Sequence, residues 1–112
     1  MKTKPEQYLT QNFKQAMTPT LNIENIKAYL STQPILRAWL FGSYATGTAD
    51  ENSDVDILVE FDYNQHIGLR YFDVLWDMEK LLQKKVDLVP IEGLSEFIRT
   101  TVEQQKVLLY ER

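Results

Sequence analysis

Residues 35–61 read ILRAWLFGSYATGTADENSDVDILVEF, two apolar runs separated by a turn of small and acidic residues. The first run, residues 35–41, is short, apolar and aromatic and is followed at once by Gly42, which is typical of a buried strand entering a sharp turn. In the second run, residues 55–61, every other residue is apolar, which predicts a strand with one face in the core. The segment therefore predicts two strands joined by a polar loop.

Helical spacing is found on both sides of these strands. Asn22 predicts the N-cap of a first helix, which Pro34 stops. The strongest helix is predicted over residues 69–82. Its broad apolar stripe consists of Leu69, Phe72, Leu75, Trp76, Met78 and Leu82. Trp39 and Trp76 both lie on predicted core elements, so we expect them to serve packing.

The remaining elements are predicted from shorter patterns. A third strand is predicted over residues 86–89, and Ser95 is predicted to cap a last helix that runs to about Leu109. Residues 5–17 predict a further short helix ahead of the first. The resulting order indicates a short sheet covered by helices on at least one face, and it leaves strand order and direction open. Four polar residues are expected to be solvated: Asp62, His66, Asp73 and Asp77.

The composition is that of one ordinary globular domain. With 112 residues, the chain has room for one hydrophobic core and not for a second. It contains no cysteine, which excludes disulfides, thiolate zinc sites and thiol nucleophiles. The net charge of -4 and the scattered basic residues argue against an extended nucleic-acid surface. No apolar run approaches the length of a membrane span and no signal-peptide core is present, so we expect a cytoplasmic protein.

Two aspartates, Asp54 and Asp56, stand at the mouth of the second predicted strand. Residues two apart on a strand point to the same side, so both carboxylates enter one small volume while Val55 and Ile57 point into the core. Carboxylates that close repel each other unless a cation lies between them. Oxygen ligands of this kind suit Mg²⁺ or Mn²⁺, which also bind water and substrate phosphates.

The pair Gly42-Ser43 adds a second feature directly after the first predicted strand. A glycine lets the backbone approach a ligand closely, and a short helix starting near Ser43 would offer N–H groups and a hydroxyl to phosphate oxygens. Either feature alone would be interpreted as a turn. A calcium loop counted from Asp50 is excluded, because its sixth position is Val55 instead of glycine and its twelfth is Phe61 instead of glutamate. Together the two features predict a phosphate site beside a metal site, as phosphoryl-type transfer requires.

The spacing Gly-Ser, ten residues, Asp-x-Asp resembles the signature of the DNA polymerase β-like nucleotidyltransferase superfamily. The small size and flanking pattern are similar to its minimal nucleotidyltransferase branch, whose members often act as antitoxins beside HEPN-domain toxins. The resemblance covers about residues 22–110. It implies a minimal nucleotidyltransferase domain at residues 22–112 after an N-terminal extension at 1–21. The fold that it implies is of the α/β (α+β) class, a short mixed sheet flanked by helices like the polymerase β palm.

The resemblance also implies a role for each motif residue. Gly42 and Ser43 would bind the triphosphate of the nucleotide. Asp54 and Asp56 would bind two Mg²⁺ (or Mn²⁺) ions. Asp87, on the third predicted strand, would complete the carboxylate triad, share a metal ion and help to activate the attacking hydroxyl.

The function implied is transfer of a nucleoside monophosphate, expected to be AMP from ATP, to a hydroxyl of a partner protein, expected to be a HEPN-domain toxin. A second hypothesis is an antitoxin that neutralises its partner by binding alone. It gains support from Thr46, which by the resemblance stands where many relatives carry an arginine and so removes one phosphate contact. It gains further support from the N-terminal extension, in which Leu9, Phe13 and Met17 are expected to form an apolar face. A third is transfer to a small molecule, which would need a surface from a second copy of the chain, and self-association is left open.

Overall fold

The computed structural model of the protein describes residues 20–112, so the helix predicted over residues 5–17 lies outside the described part. The elements in chain order are α1 (Ile23–Leu30), β1 (Ile35–Phe41), α2 (Ser43–Thr46), β2 (Val55–Phe61), α3 (Arg70–Leu82), β3 (Val86–Pro90), a 3-10 turn (Ile91–Gly93), α4 (Glu96–Gln105) and β4 (Val107–Glu111). Both predicted caps are present, because Asn22 accepts from the N–H of Asn25 and Ser95 from the N–H of Phe97, each at 3.1 Å. Among the helices of residues 20–112, none has the length and apolarity that a membrane crossing needs.

The four strands form one mixed sheet in the order β3-β2-β1-β4. Strand β1 runs antiparallel to both of its neighbours, whereas β2 and β3 are parallel. A parallel pair cannot be joined by a tight turn, and α3 lies in the crossover between β2 and β3. The predicted fold class, a short mixed sheet flanked by helices, is confirmed.

The core lies in two layers on opposite faces of the sheet. The larger layer joins α1 and α3 to the alternating apolar residues of β2. Its most deeply buried members are Ile26, Leu30, Ile35, Val55, Ile57, Val59, Val74 and Met78. The smaller layer joins Leu58 of β2 to Leu94 and to Val102 of α4, with Trp39 packed at its border, so the packing role predicted for Trp39 is confirmed. We call these two sides of the sheet the α3 face and the α4 face.

The last helix ends earlier than the sequence predicted. Helix α4 stops at Gln105, Lys106 adopts an extended conformation, and β4 then pairs with β1. The prediction of a helix to about Leu109 is therefore wrong, and Leu109 enters the core from a strand. A short apolar run fits a strand or a buried helix equally well. The N–H and C=O groups along the open edge of β1 need partners, which favours the strand.

The outer part of the apolar stripe on α3 is exposed to solvent. Val74 and Met78 are fully buried against the sheet, whereas the exposed fractions of Leu69, Phe72 and Trp76 are 78%, 45% and 60%. The packing role predicted for Trp76 is therefore wrong. A helix on a sheet buries only the sector that faces the sheet, and the predicted stripe is wider than that sector.

Asp62 also differs from its predicted solvated state. It is buried at the end of β2 and accepts hydrogen bonds from Arg112 at 2.8 Å and from Gln65 and the N–H of Asn64 at 3.1 Å each. The hydrogen bond from Arg112, followed by that from Gln65, lowers the pKa of Asp62 below its ordinary value. The other three polar residues predicted to be solvated are exposed: His66, Asp73 and Asp77.

Candidate active site

The motif residues meet where the end of β1 lies beside the starts of β2 and β3. Because β1 and β2 are antiparallel, Phe41 at the end of β1 pairs with Asp56 near the start of β2. Because β2 and β3 are parallel and in register, Asp56 pairs with Asp87. Gly42 follows Phe41 directly. Residues up to 45 positions apart in the chain are thus brought to one end of the sheet, which we call the carboxylate end (Gly42, Ser43, Asp54, Asp56 and Asp87).

Strand alternation places Asp56 and Asp87 on the α4 face. Val55 and Ile57 are fully buried in the layer of the α3 face, as predicted, so the residue between them points to the opposite side. In the same way, Val86 and Leu88 enter the α3 face and Asp87 lies opposite. Asp56 is partly buried, while Asp87 is exposed on the edge strand.

The carboxylates of this end interact electrostatically. Burial raises the pKa of Asp56 above its ordinary value, and the negative charges of Asp87 and then Asp54 raise it further. Each of these effects disfavours the ionised form of Asp56. A cation placed among the three groups would reverse this, because it would stabilise the ionised carboxylates. The electrostatics of the site therefore favour binding of a positive ion.

Gly42 lies in direct contact with this cluster. A Cβ built on Gly42 would collide with Oδ2 of Asp56, so the carboxylate occupies the space that a side chain would need. The backbone of Gly42 has φ 72° and ψ -152°, a conformation essentially restricted to glycine. Position 42 thus requires glycine for two independent reasons. The sequence pattern indicates the glycine, but no feature of the sequence reveals its contact with Asp56.

The turn after Gly42 places two backbone N–H groups that have no acceptor within the helix at the carboxylate end. The N–H groups of Ala45 and Thr46 donate to the carbonyl of Gly42 at 3.0 and 3.1 Å. The preceding N–H groups, of Ser43 and Tyr44, belong to the first turn of the helix and have no intrahelical acceptor. Helix α2 has only four residues, so any phosphate binding here rests on individual N–H groups and on the Ser43 hydroxyl.

Thr46 uses its hydroxyl within the same turn. Its Oγ1 lies 3.3 Å from the carbonyl oxygen of Gly42, 3.4 Å from that of Ser43 and 3.0 Å from Oγ1 of Thr48. The Thr46 side chain therefore stabilises the loop locally. It carries no positive charge to offer to a phosphate.

The acidic loop before Asp54 is ordered by hydrogen bonds of Asp50 and Ser53, for which the sequence prediction gave neither residue a role. Oδ1 of Asp50 accepts from the N–H of Asn52 at 2.8 Å and from Oγ of Ser53 at 3.2 Å, and the N–H of Asp50 donates to Oγ of Ser53 at 2.9 Å. Such side-chain turns are a known use of aspartate and serine in loops, so the pattern Asp-x-x-Ser could have indicated them. The loop connects the glycine turn to the aspartate pair.

The donor set at the carboxylate end fits Mg²⁺ or Mn²⁺. Within residues 20–112, no three acidic or histidine side chains stand ready as a complete metal-binding group. Mg²⁺, however, is commonly held by one or two carboxylates together with water and substrate phosphates. The register pair Asp56 and Asp87, with the exposed Asp54 beside it, meets that requirement once a nucleotide supplies its phosphates.

A concave groove of about 490 Å³ lies elsewhere, between α1 and β4. It is lined by Glu24, Lys27, Ala28, Ser31 and residues 108–111. None of the motif residues lines it, so it is not part of the carboxylate end.

The glycine turn, the register-paired aspartates and the mixed sheet together define a nucleotidyltransferase. Residues 24–112 match the polymerase beta nucleotidyltransferase family, so this chain belongs to that family.

Known proteins similar to this chain include both archaeal relatives and solved structures. Protein adenylyltransferase MntA of Thermococcus cleftensis is 41% identical over 68 residues, which cover 61% of this chain and 68% of that protein. A solved toxin–antitoxin with AMP-PNP has a TM-score of 0.69 and 28% identity, covering 82% of this chain and 75% of that one. A solved minimal nucleotidyltransferase has a TM-score of 0.66 and 30% identity, covering 76% of this chain and 86% of that one. The resemblance to the minimal nucleotidyltransferase branch is thereby confirmed.

Proposed function

We propose that this nucleotidyltransferase transfers AMP from ATP to a hydroxyl of a HEPN-type partner protein and thereby acts as the antitoxin of a toxin–antitoxin pair. The observation that carries the proposal is the pairing of Asp56 with Asp87 on adjacent parallel strands, with Asp56 packed against Gly42. This arrangement sets acidic ligands directly beside the backbone donors that follow Gly42. Nucleotidyl transfer requires both, because the reacting phosphate must be held next to the metal ligands.

Each residue of the carboxylate end has a role in the proposed reaction. Gly42 and Ser43 bind the triphosphate. Asp54, Asp56 and Asp87 would hold two Mg²⁺ (or Mn²⁺) ions, which would supply positive charge to the α-phosphate and the leaving pyrophosphate. Asp87 also accepts the proton of the acceptor hydroxyl, a role that its exposed position on an edge strand permits. The hydroxyl oxygen forms a bond to the α-phosphorus, and the bond from that phosphorus to the bridging oxygen of pyrophosphate breaks.

A large acceptor fits the open surroundings of Asp87. Among residues 20–112, strand β3 forms the edge of the sheet, and no further strand of that range lies beside it. A hydroxyl carried by a protein surface can therefore approach without first entering a closed pocket. The relatives support the same substrate class, since one is named a protein adenylyltransferase and a similar structure is a toxin–antitoxin with AMP-PNP.

Neutralisation by binding alone is the second candidate function. Thr46 favours it, because its hydroxyl is engaged within the loop and its side chain offers no positive charge to a phosphate. A site with weaker triphosphate affinity could persist while the protein acts through complex formation. The two candidates differ in one observable, which is dependence on the carboxylates.

The test is transfer of label to the partner. The chain is incubated with Mg²⁺, each α-labelled nucleoside triphosphate and a HEPN-domain protein as candidate acceptor. The variants are Asp54→Ala and Asp56→Asn, and the matched control is Glu51→Gln, an exposed acid of the same loop. We expect label from ATP on the partner with the wild-type chain and the control, and none with the two aspartate variants.

Two results would contradict adenylyl transfer. Label from a different nucleotide would correct the transferred group and leave the mechanism in place. The absence of label, together with a stable complex formed equally by wild type and Asp54→Ala, would replace transfer with neutralisation by binding.

A further inference from the structure

The outward side of α3 carries an apolar ridge formed by Leu69, Phe72 and Trp76. These residues are three and four positions apart, so they lie along one side of the helix. The rings of Phe72 and Trp76 lie 5.8 Å apart between centroids, and Phe72 also meets Tyr71 edge-on at 5.2 Å. With Trp76 60% and Leu69 78% exposed, this α3 ridge is a contiguous apolar surface of the kind that marks an interaction site.

Opposite charges border the α3 ridge. Asp73 precedes Trp76 by three residues and Lys80 follows it by four. Residues seven apart are two helical turns apart, so Asp73 and Lys80 lie on the same side of α3. Neither is in an ion pair with another residue of the described range 20–112. The ridge therefore has one free negative charge and one free positive charge, placed almost symmetrically about Trp76.

We propose that the α3 ridge is the interface with a second copy of this chain, in which the two α3 helices pack antiparallel across a two-fold axis near Trp76. A two-fold axis pairs each surface with itself, so a residue before Trp76 meets the residue equally far after it in the other copy. Asp73 of one copy then lies opposite Lys80 of the other, and this pair occurs twice. The neighbouring, mutually tilted rings of Phe72 and Trp76 lie at the centre, where buried aromatic side chains contribute most to binding.

The charge pattern favours a second copy over a different protein. A uniformly basic partner would attract Asp73 and repel Lys80, and an acidic partner would attract Lys80 and repel Asp73. An antiparallel copy of the same helix matches both. Helix α3 and the carboxylate pair lie on opposite faces of the sheet, so both active sites of such a dimer remain open. The inference therefore does not depend on the proposed acceptor.

Sedimentation equilibrium of the full chain over a range of concentrations tests the interface. The average mass should rise from 13.1 kDa toward twice that value as concentration increases. Trp76→Asp should remain monomeric over the same range. The matched control is Phe97→Asp, which places the same charge on α4 at an aromatic residue that is 97% exposed and lies outside the ridge; its self-association should equal that of the wild type.

A charge exchange makes the test specific for the antiparallel arrangement. Asp73→Lys and Lys80→Asp should each weaken dimerisation by about tenfold, because each places like charges opposite one another twice per dimer. The double variant should recover most of that loss, and circular dichroism verifies that every variant is folded. A wild-type chain that stays monomeric overturns the proposal, as does a dimer insensitive to Trp76→Asp. A monomer in which Trp76→Asp abolishes partner binding would assign the ridge to the partner instead.

Discussion

Replacement of Gly42 by alanine is the most direct test of how the carboxylate end is built. The substitution adds one methyl group at a backbone with φ 72° and ψ -152°. That methyl group would overlap Oδ2 of Asp56. Gly42→Ala should therefore both destabilise the fold and displace one of the carboxylates proposed to bind metal.

The two effects have different magnitudes. The backbone conformation alone costs a non-glycine residue about 1–3 kcal/mol, which corresponds to a fall in Tm of roughly 5–15 °C for a domain of this size. Displacement of the Asp56 carboxylate adds to this loss. Because a catalytic group misplaced by about 1 Å can reduce the rate by roughly 10²-fold, transfer activity should fall much more than stability.

Thermal unfolding and the labelling assay measure these two losses. The matched control is Gly93→Ala, since a Cβ there would meet only Cδ of Pro90 at 4.0 Å and the backbone has no positive φ. Comparison of the stability of Asp56→Ala with that of the double variant Gly42→Ala/Asp56→Ala isolates the steric contribution. Alanine at position 56 removes the carboxylate with which the added methyl group would collide. A Gly42→Ala variant as stable as Gly93→Ala would refute the conformational reasoning. If Gly42→Ala lowers the stability equally in the wild-type and the Asp56→Ala chains, the steric contact is refuted.

Three further predictions concern buried or charged side chains. Tyr44→Phe should raise the free energy of unfolding by about 1 kcal/mol in urea titrations, because the buried hydroxyl of Tyr44 has no hydrogen-bond partner in the described part of the chain. A lower free energy of unfolding would reveal a partner of this hydroxyl, such as internal water. Asp62→Asn should be less stable than the wild type near neutral pH. The pKa of Asp62 is lowered in the fold, so its ionised form contributes stability above its ordinary pKa of about 4. The difference in unfolding free energy between variant and wild type should therefore shrink as the pH falls below that value. A difference that does not change with pH would show that Arg112 is not the cause. Asp56→Asn should lose transfer activity but be at least as stable as the wild type when both are measured in a chelator at neutral pH. Burial and the charges of Asp87 and Asp54 raise the pKa of Asp56, so its ionised form is unfavourable at that pH. A lower Tm of the variant would show that the carboxylate stabilises the fold.

Local patterns were sufficient to predict most elements and the identity of the candidate site residues. The alternation at residues 55–61 predicts β2 and the burial of Val55 and Ile57, which the structure confirms. The caps at Asn22 and Ser95 are likewise local, because each side chain bonds a backbone N–H within three residues. Gly42, Ser43, Asp54 and Asp56 stand out because their spacing is a sequence property. Asp87 needed a resemblance as well, since a single aspartate in a strand has no distinctive local signal.

The tertiary structure decided what depends on contacts between distant parts of the chain. Residues 107–111 form a strand because β1 offers an open edge, and no local periodicity reports that edge. Trp76 is exposed because the sheet covers a narrower sector of α3 than the apolar stripe occupies. Asp56 and Asp87 become neighbours only through the parallel register of β2 and β3, and Asp56 reaches Gly42 only because β1 runs antiparallel to β2. The sequence by itself thus determines which residues are candidates for the site, because residue type and spacing are local. Strand pairing determines how these residues meet, because it is selected by burial and hydrogen bonding of the whole chain.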